Sequence, residues 1–434
     1  MQKKIFIPLL YFFAFCFSSK AQSQVPQNGD VWDLQKCLAY ATVNNITINS
    51  LRLSQQTSEQ DVVLSKAAKY PNLYATASQS LAHTTTGWSP ASGYGISSDV
   101  MLFNGGYYNN DIKQKQLSLQ SAGLDVAIQE NDITLQITEA YYNIALAQEN
   151  IVYVKDLVAT SEAQVKQGQQ RFAAGSIAQK DLLQLQAVLA NDEYNLVTAQ
   201  NAEQQYLLTL KQILQLPTGQ SLQITTPDTL SATASVTPLA DVQQTALASR
   251  PEITNADLGI QIADVNLAKA RVGLKPTISL GGIMNTNYAN SSNYTYTKTL
   301  NNNFYQQVGV SLSIPIFDRK VTQTNVAKAK INIAQANLNL NNAKITLMQQ
   351  IEQAYLNVIN TQSQYRAAEE QLRYTQEAFR IANEQLRIGS YNIVDFLQQR
   401  NLYVQALQAY VQSKYSTALY SKIYNFYNGT PVTQ

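Results

Sequence analysis

Across residues 308–317 apolar positions alternate with small or polar ones. Val308, Val310, Leu312, Ile314 and Ile316 are interleaved with Gly309, Ser311, Ser313 and Pro315. A period of two predicts a strand with one oily face and one face of small residues. The same alternation predicts strands over 73–81, 94–103, 277–288 and 305–317. After Asp318 the period changes to that of a helix. No proline follows until Pro431, and Gly389 and Gly429 are the only glycines between Pro315 and Pro431.

Residues 107–174 repeat this behaviour, with no proline and only Gly123 and Gly168 as interruptions. Ile133, Ile137, Tyr141, Ile144, Ile151, Val154 and Val158 step by three, four or seven and form one helical stripe. About 65 residues at 1.5 Å each predict a rod of roughly 100 Å. The run Arg171-Phe-Ala-Ala-Gly175-Ser176 breaks it, with Gly175 suited to a left-handed cap, and a second helix returns over 181–216. The later helix turns at 387–395 and returns to about residue 427. Shorter helices are expected over 34–69 and 251–275, where Arg250-Pro251-Glu252 reads as a helix start.

The chain is internally duplicated. Ile351-Glu-Gln-Ala354-Tyr355 matches Ile137-Thr-Glu-Ala140-Tyr141 at an offset of 214 (351 − 137), which also superposes Phe317 on Phe103, Gly389 on Gly175 and Asp395 on Asp181. Upstream, Tyr70-Pro71-Asn-Leu73 matches Lys275-Pro276-Thr-Ile278 at an offset of 205 (276 − 71). The difference falls between the two strands of the second repeat, so 285–303 reads as an expanded hairpin loop. The expected organisation is a signal peptide over 1–21, a first repeat over 22–216, a connector over 217–245 and a second repeat over 246–434.

Lys3-Lys4, the apolar run 5–17 and Ser19-Lys20-Ala21 make the signal peptide. Phe15 is too large for the residue before a lipidated cysteine, so Cys16 is read as unmodified. Maturation leaves Cys37 alone, and no intrachain disulfide can form. Of 31 basic and 29 acidic residues it removes Lys3, Lys4 and Lys20, leaving 28 against 29. A near-neutral chain argues against a nucleic-acid partner. With 45% hydrophobic residues the chain can bury a core. No later segment reaches the 18 apolar residues of a membrane helix, so contact with a membrane falls to the strands. Strands cross lipid only as a closed barrel, and four are too few to close one, so several copies must share it.

The Pro71/Pro276 strand starts, the Ser313-Ile-Pro315-Ile-Phe317-Asp318 strand exit, the Arg171-Phe172-x-x-Gly175 turn with Asp181, and Gly389-Ser390-x-x-Ile-Val-Asp395-x-Leu397 resemble the TolC-like outer-membrane efflux family over nearly the whole mature chain. The resemblance implies a mixed fold of α-helix and membrane β-strand. Three copies would share one twelve-stranded barrel set on a long coiled-coil tube, with a small equatorial region. It also implies an exit duct in the outer membrane, reaching into the periplasm, for efflux or type I secretion. Its expected partners are outer-membrane lipid, a periplasmic adaptor and an inner-membrane transporter of RND or ABC type. The docking site for the adaptor is expected at Arg171, Phe172, Gly175, Ser176, Ile388, Gly389, Ser390 and Tyr391. Leu386 and Tyr391 depart from the family, whose better-known members carry Tyr and Arg links there that hold the tip closed. Asp395, with Gln398 and Asp181, is expected at the pore constriction. The family has a second carboxylate where this chain has Gln398, so the ring would hold three charges rather than six.

Little in the chain suggests catalysis. His83 is the only histidine, which leaves no Ser-His-Asp or multi-histidine metal site. It reads as an exposed loop residue. Gly105-Gly106 reads as a strand-to-helix corner and not as a phosphate loop. No cofactor, metal or enzymatic role is expected. Trp88, Tyr94, Phe103, Tyr288, Tyr305 and Phe317 fall near strand ends, where barrels carry aromatic girdles, whereas Tyr141 and Tyr355 read as packing residues. Two alternatives lack a pore. The four oily-faced strands count against an exported coiled-coil scaffold. A periplasmic adaptor would flank one hairpin with compact β domains, and this chain has two hairpins and none. The exported substrate is not legible in the sequence.

Overall fold

The computed structural model of the protein describes residues 31–85, 87–225, 235–289 and 294–432. The signal peptide, with Cys16, lies outside the described residues. Two strand hairpins and two long helical hairpins alternate along the chain. The order is β1 (Val31–Trp32), α1 (Leu34–Asn44), α2 (Ile46–Ala67), β2 (Tyr74–Thr84), β3 (Gly87–Phe103), α3 (Tyr107–Ala173) and α4 (Gln179–Leu214). Then follow β4 (Gln223–Ile224), α5 (Leu239–Ser249), α6 (Pro251–Ala270), β5 (Thr277–Ala289), α7 (Tyr296–Asn302), β6 (Tyr305–Ser313), α8 (Val321–Arg387) and α9 (Ile393–Tyr427).

The duplication holds element by element. Both long helices have 67 residues, roughly 100 Å at 1.5 Å per residue. The bounds of α3 and the start of α4 map onto those of α8 and α9 at the offset of 214. At the offset of 205, α1 maps onto α5. The duplicated architecture therefore begins at Leu239, within the segment read as connector. The helix expected over 34–69 is two helices. Asn45 ends α1 and caps α2, its Oδ1 accepting the amides of Thr47 and Ile48 at 2.9 and 3.2 Å. In the second repeat Arg250 occupies that break, and Pro251 is the first residue of α6, where a missing N–H costs nothing.

The sheet runs β2-β3-β5-β6, antiparallel throughout. Its register puts Ala75, Ile96, Met284, Leu280, Val310 and Leu312 on one face. Thr76, Ser78, Gly95, Ser97, Gly281 and Ser311 lie on the other. Val308, Val310 and Leu312 are 78, 67 and 60% exposed, so the oily face is uncovered by the protomer itself. β2 and β6 are both open edges, a costly state in lipid unless further copies pair with them. Among the described residues no helix is long and apolar enough to cross a membrane.

Three expectations about the sheet need correction. β6 stops at Ser313 and does not reach Phe317. Pro315 has no N–H for a ladder, and Ile316 and Phe317 stand 94 and 79% exposed below the sheet. Asp318 lies just ahead of α8, its carboxylate accepting the Thr322 amide of the first turn at 2.7 Å. The expanded loop 285–303 is not only loop, since β5 continues to Ala289 and α7 folds back over the sheet. His83, read as a loop residue, is an exposed strand residue. It pairs with Trp88 across the hairpin, the rings 4.9 Å apart.

Two cores, one centred on each repeat and both joined by α9, lie where the helices meet below the sheet. In the first, Trp32, Cys37, Ile137, Tyr141, Ile144 and Leu210 are buried together. The Tyr141 hydroxyl donates to the Thr225 carbonyl, and burial pushes the Cys37 thiol up to about 12. In the second, Val242, Ala246, Ile351, Ala354, Val358 and Tyr424 do the same work. Tyr355 packs its ring 5.7 Å from that of Tyr424.

Candidate functional site: the paired tips

The two helical hairpins turn at the same end of the molecule, far from the sheet. In the first, the Gly175 amide bonds back to the Phe172 carbonyl at 2.9 Å and the Ser176 amide to that of Arg171 at 2.8 Å. In the second, Gly389 bonds to Leu386 at 3.1 Å and Ser390 to Gln385 at 3.0 Å. Both are helix ends of the Schellman kind, which need a left-handed residue. Gly175 and Gly389 supply it at φ 73° and 81°. A Cβ at either glycine would meet nothing within 4 Å, so the peptide planes of both turns are open to an approaching surface. Phe172 and Ile388 flank them, 42 and 69% exposed.

Arg171 ties the tips together. Its guanidinium donates to the Leu386 carbonyl at 2.8 Å and also to the Arg387 carbonyl. Both are among the last carbonyls of α8, where helical partners run out; the Leu386 carbonyl also accepts the Gly389 amide of the turn. Behind this clasp is a cleft of about 410 Å³ lined by Gln164, Gly168, Lys180, Asp181 and Tyr391, among others. Asp181 lies half-buried in it.

The expected constriction residues separate in role. The cap of α9 is Asn392, whose Oδ1 accepts the Val394 amide at 2.8 Å. Asp395 stands in the first helical turn, exposed, and Gln398 is exposed one turn on. In the first repeat the cap position is Ala178, with no side-chain cap, and Asp181 occupies the matching turn. The structure thus brings Arg171, Gly175, Ser176, Asp181, Gly389 and Tyr391 to one end of the molecule, with Asp395 and Gln398 exposed beside them.

Sequence reasoning missed a buried ionic cluster about three turns behind the tips. Arg400 on α9 donates to Asp192 on α4 and, at 3.1 Å, to the Ser161 hydroxyl on α3. Ser161 donates to the same Asp192 oxygen. The Arg400 and Asp192 side chains are 4 and 5% exposed. Arg400 Nε and both amide atoms of Gln164 are buried with no partner among the described residues. The signal was present: Asp192 stands seven residues after buried Leu185, and Arg400 four after buried Phe396. Each charge is therefore on a core-facing stripe.

A family model described as "Outer membrane efflux protein" matches residues 38–215 and 242–420, two blocks that fall on the two repeats. The chain belongs to the outer membrane efflux protein family. It is 23% identical over 395 residues to the outer membrane efflux protein BepC of Brucella suis biovar 1, covering 89% of this chain and 83% of that one. To the outer membrane protein TolC of Escherichia coli K12 it is 25% identical over 321 residues, 70% of this chain and 64% of that one. A crystal structure of CusC superposes with a TM-score of 0.80 at 18% identity, covering 93% of this chain and 95% of that one. The efflux protein is accordingly an outer-membrane channel, the exit duct of an efflux or secretion system, with its helices in the periplasm. The superposition extends to nearly the whole chain, sheet included, and the open edges of β2 and β6 leave its four strands too few to close a barrel without further copies. The family consists of channels and not of enzymes.

Proposed function

We propose that the paired tip turns are the docking site for a periplasmic adaptor serving an inner-membrane transporter of RND or ABC type. Asp395, one helical turn inside, forms a ring of three carboxylates that constricts the pore. The observation carrying this reading is the pair of Schellman turns, clasped by Arg171 and open above Gly175 and Gly389. Small residues admit a partner's backbone closely, which bulkier ones would prevent.

Replacing Gly389 with Leu tests it. Export should be lost while trimer yield stays normal. Gly429→Leu is the control for backbone strain, because Gly429 also has positive φ (84°) and open space but lies at the far end of α9. Export that survives in Gly389→Leu, or fails equally in both variants, removes the docking role of this turn.

A further inference from the structure

Helix α7 lies against the sheet and does not stand away from it. The Tyr296 hydroxyl is 3.0 Å from both Ser92 Oγ and the Tyr94 hydroxyl. Its ring is 4.8 Å from that of Tyr288. Thr286 donates to the Leu300 carbonyl, and Asn303 donates to the Asn287 carbonyl at 2.8 Å. In the register, Tyr94 pairs with Thr286 two residues beyond the pair Ile96–Met284, on the same face. That is about 7 Å along a strand. Helix α7 therefore covers the membrane-facing side of the sheet just beyond its oily band. It does so at the end opposite the periplasmic helices, which is the height of the outer-leaflet headgroups.

The charge there is one-sided. Residues 73–98 and 277–317 contain no Asp or Glu, and Lys298 is their only Lys or Arg. Lys298 is exposed, and its ammonium sits 4.7 Å from the Tyr294 ring centroid. It forms no ion pair among the described residues. Tyr294 and Tyr296 are 53 and 43% exposed. Tyrosines are favoured at this height for their amphipathic rings; Tyr296 is anchored to the sheet by its hydroxyl and presents its ring. An ammonium with no competing carboxylate is a point charge suited to phosphate.

We infer that α7 is a seat for the phosphorylated sugar headgroup of an outer-leaflet glycolipid. Lys298 pairs with a phosphate, and Tyr294 and Tyr296 lie against the sugar. The seat continues the membrane face of the barrel, which fixes the occupant as a lipid and not a soluble anion.

Native mass spectrometry of the delipidated trimer, titrated with diphosphoryl lipid A, tests this. A basic residue near an anionic lipid surface is worth ~1 kcal/mol, so Lys298→Glu should weaken binding at least about fivefold. Lys298→Arg should bind as the parent does. Lys328→Glu, an exposed site on α8, should change nothing. Dephosphorylated lipid A should bind the parent about as weakly as the diphosphoryl form binds Lys298→Gln, which removes the charge without reversing it. The same spectra report trimer assembly, and Lys298→Gln substitutes if the reversed charge prevents it. Equal binding by parent and Lys298→Glu overturns the proposal. Phosphatidylglycerol binding as tightly as lipid A overturns the assignment to a sugar headgroup.

Discussion

The two repeats agree where they pack and differ where they meet. At the offsets of 214 and 205, Ile351, Ala354 and Val242 take the places of Ile137, Ala140 and Cys37, and all six are buried. The tips are another matter. Asn392 caps α9 where Ala178 leaves α4 uncapped, and Arg171 has exposed Gln385 as its counterpart. Asp192 has buried Ala406 as its counterpart, and Arg400 has exposed Gln186. Each repeat holds one half of a buried ion pair and an uncharged residue at the position matching the other half. Duplication reproduced the core, and divergence then made the two hairpins complementary. The polar features that join them exist once per protomer, not twice.

The largest effect should come from separating that pair. Arg400→Leu strands Asp192 in a buried site, and breaking such a pair by removing one partner costs about 3–5 kcal/mol. Adding Asp192→Ala, which installs the residue of its counterpart Ala406, leaves no unpaired charge. The double variant should recover most of the loss, since buried pairs replaced by apolar residues are often neutral. Hydrogen exchange of α9 amides near Phe396 measures both. If the double variant is as destabilised as the single one, the loss is one of packing around Arg400 and not of a stranded charge.

A smaller effect is expected at the clasp. Arg171→Ala removes two charge-assisted bonds to the end of α8, roughly 1–2 kcal/mol in a partly exposed setting. Exchange at 385–390 should quicken, while Gln385→Ala, the matching change, leaves 171–176 unaltered. Equal responses would mean that the tips are not tied asymmetrically. Smaller again is the cap. Asn392→Ala should cost about 1 kcal/mol at the start of α9, and Ala178→Asn should stabilise α4 by a similar amount. A neutral Ala178→Asn would show that the first tip's extended backbone is set by contacts other than capping.

Much of this was legible because it is periodic. The helices, the four strands and the tip glycines follow from alternation, a 3.6-residue stripe and positive-φ requirements that each residue announces locally. Helix α7 was not legible, since Tyr-Thr-Lys-Thr-Leu-Asn-Asn is too short and polar to show a stripe. Its position depends on Tyr296 finding Ser92, 204 residues away. The strand end at Ser313 was misread because Ile314 and Ile316 extend the alternation past Pro315, which ends the ladder. Asp192 and Arg400 were visible as charges on apolar stripes. Their pairing, 208 residues apart, is a property of the folded chain only.

The smallest change in stability, and the sharpest contrast between the repeats, is expected at the two matching aspartates. Asp395 is exposed and Asn392 already caps α9, so Asp395→Asn removes little beyond a favourable charge in a first helical turn, about 0.3–1 kcal/mol. Its consequence should appear in conduction. Two unit charges about 8 Å apart at an effective dielectric near 20 interact by roughly 2 kcal/mol. Three such carboxylates around one axis would therefore hold cations to relieve their repulsion. Single-channel recording of Asp395→Asn in a planar bilayer should show lower cation selectivity and weaker block by divalent ions. Asp181→Asn should leave both closer to the parent, because Asp181 is half-buried in the cleft, which Lys180 also lines. Unchanged selectivity in Asp395→Asn would leave that residue a first-turn carboxylate and nothing more. A larger change in Asp181→Asn would reverse the assignment and put the charged ring on the first repeat.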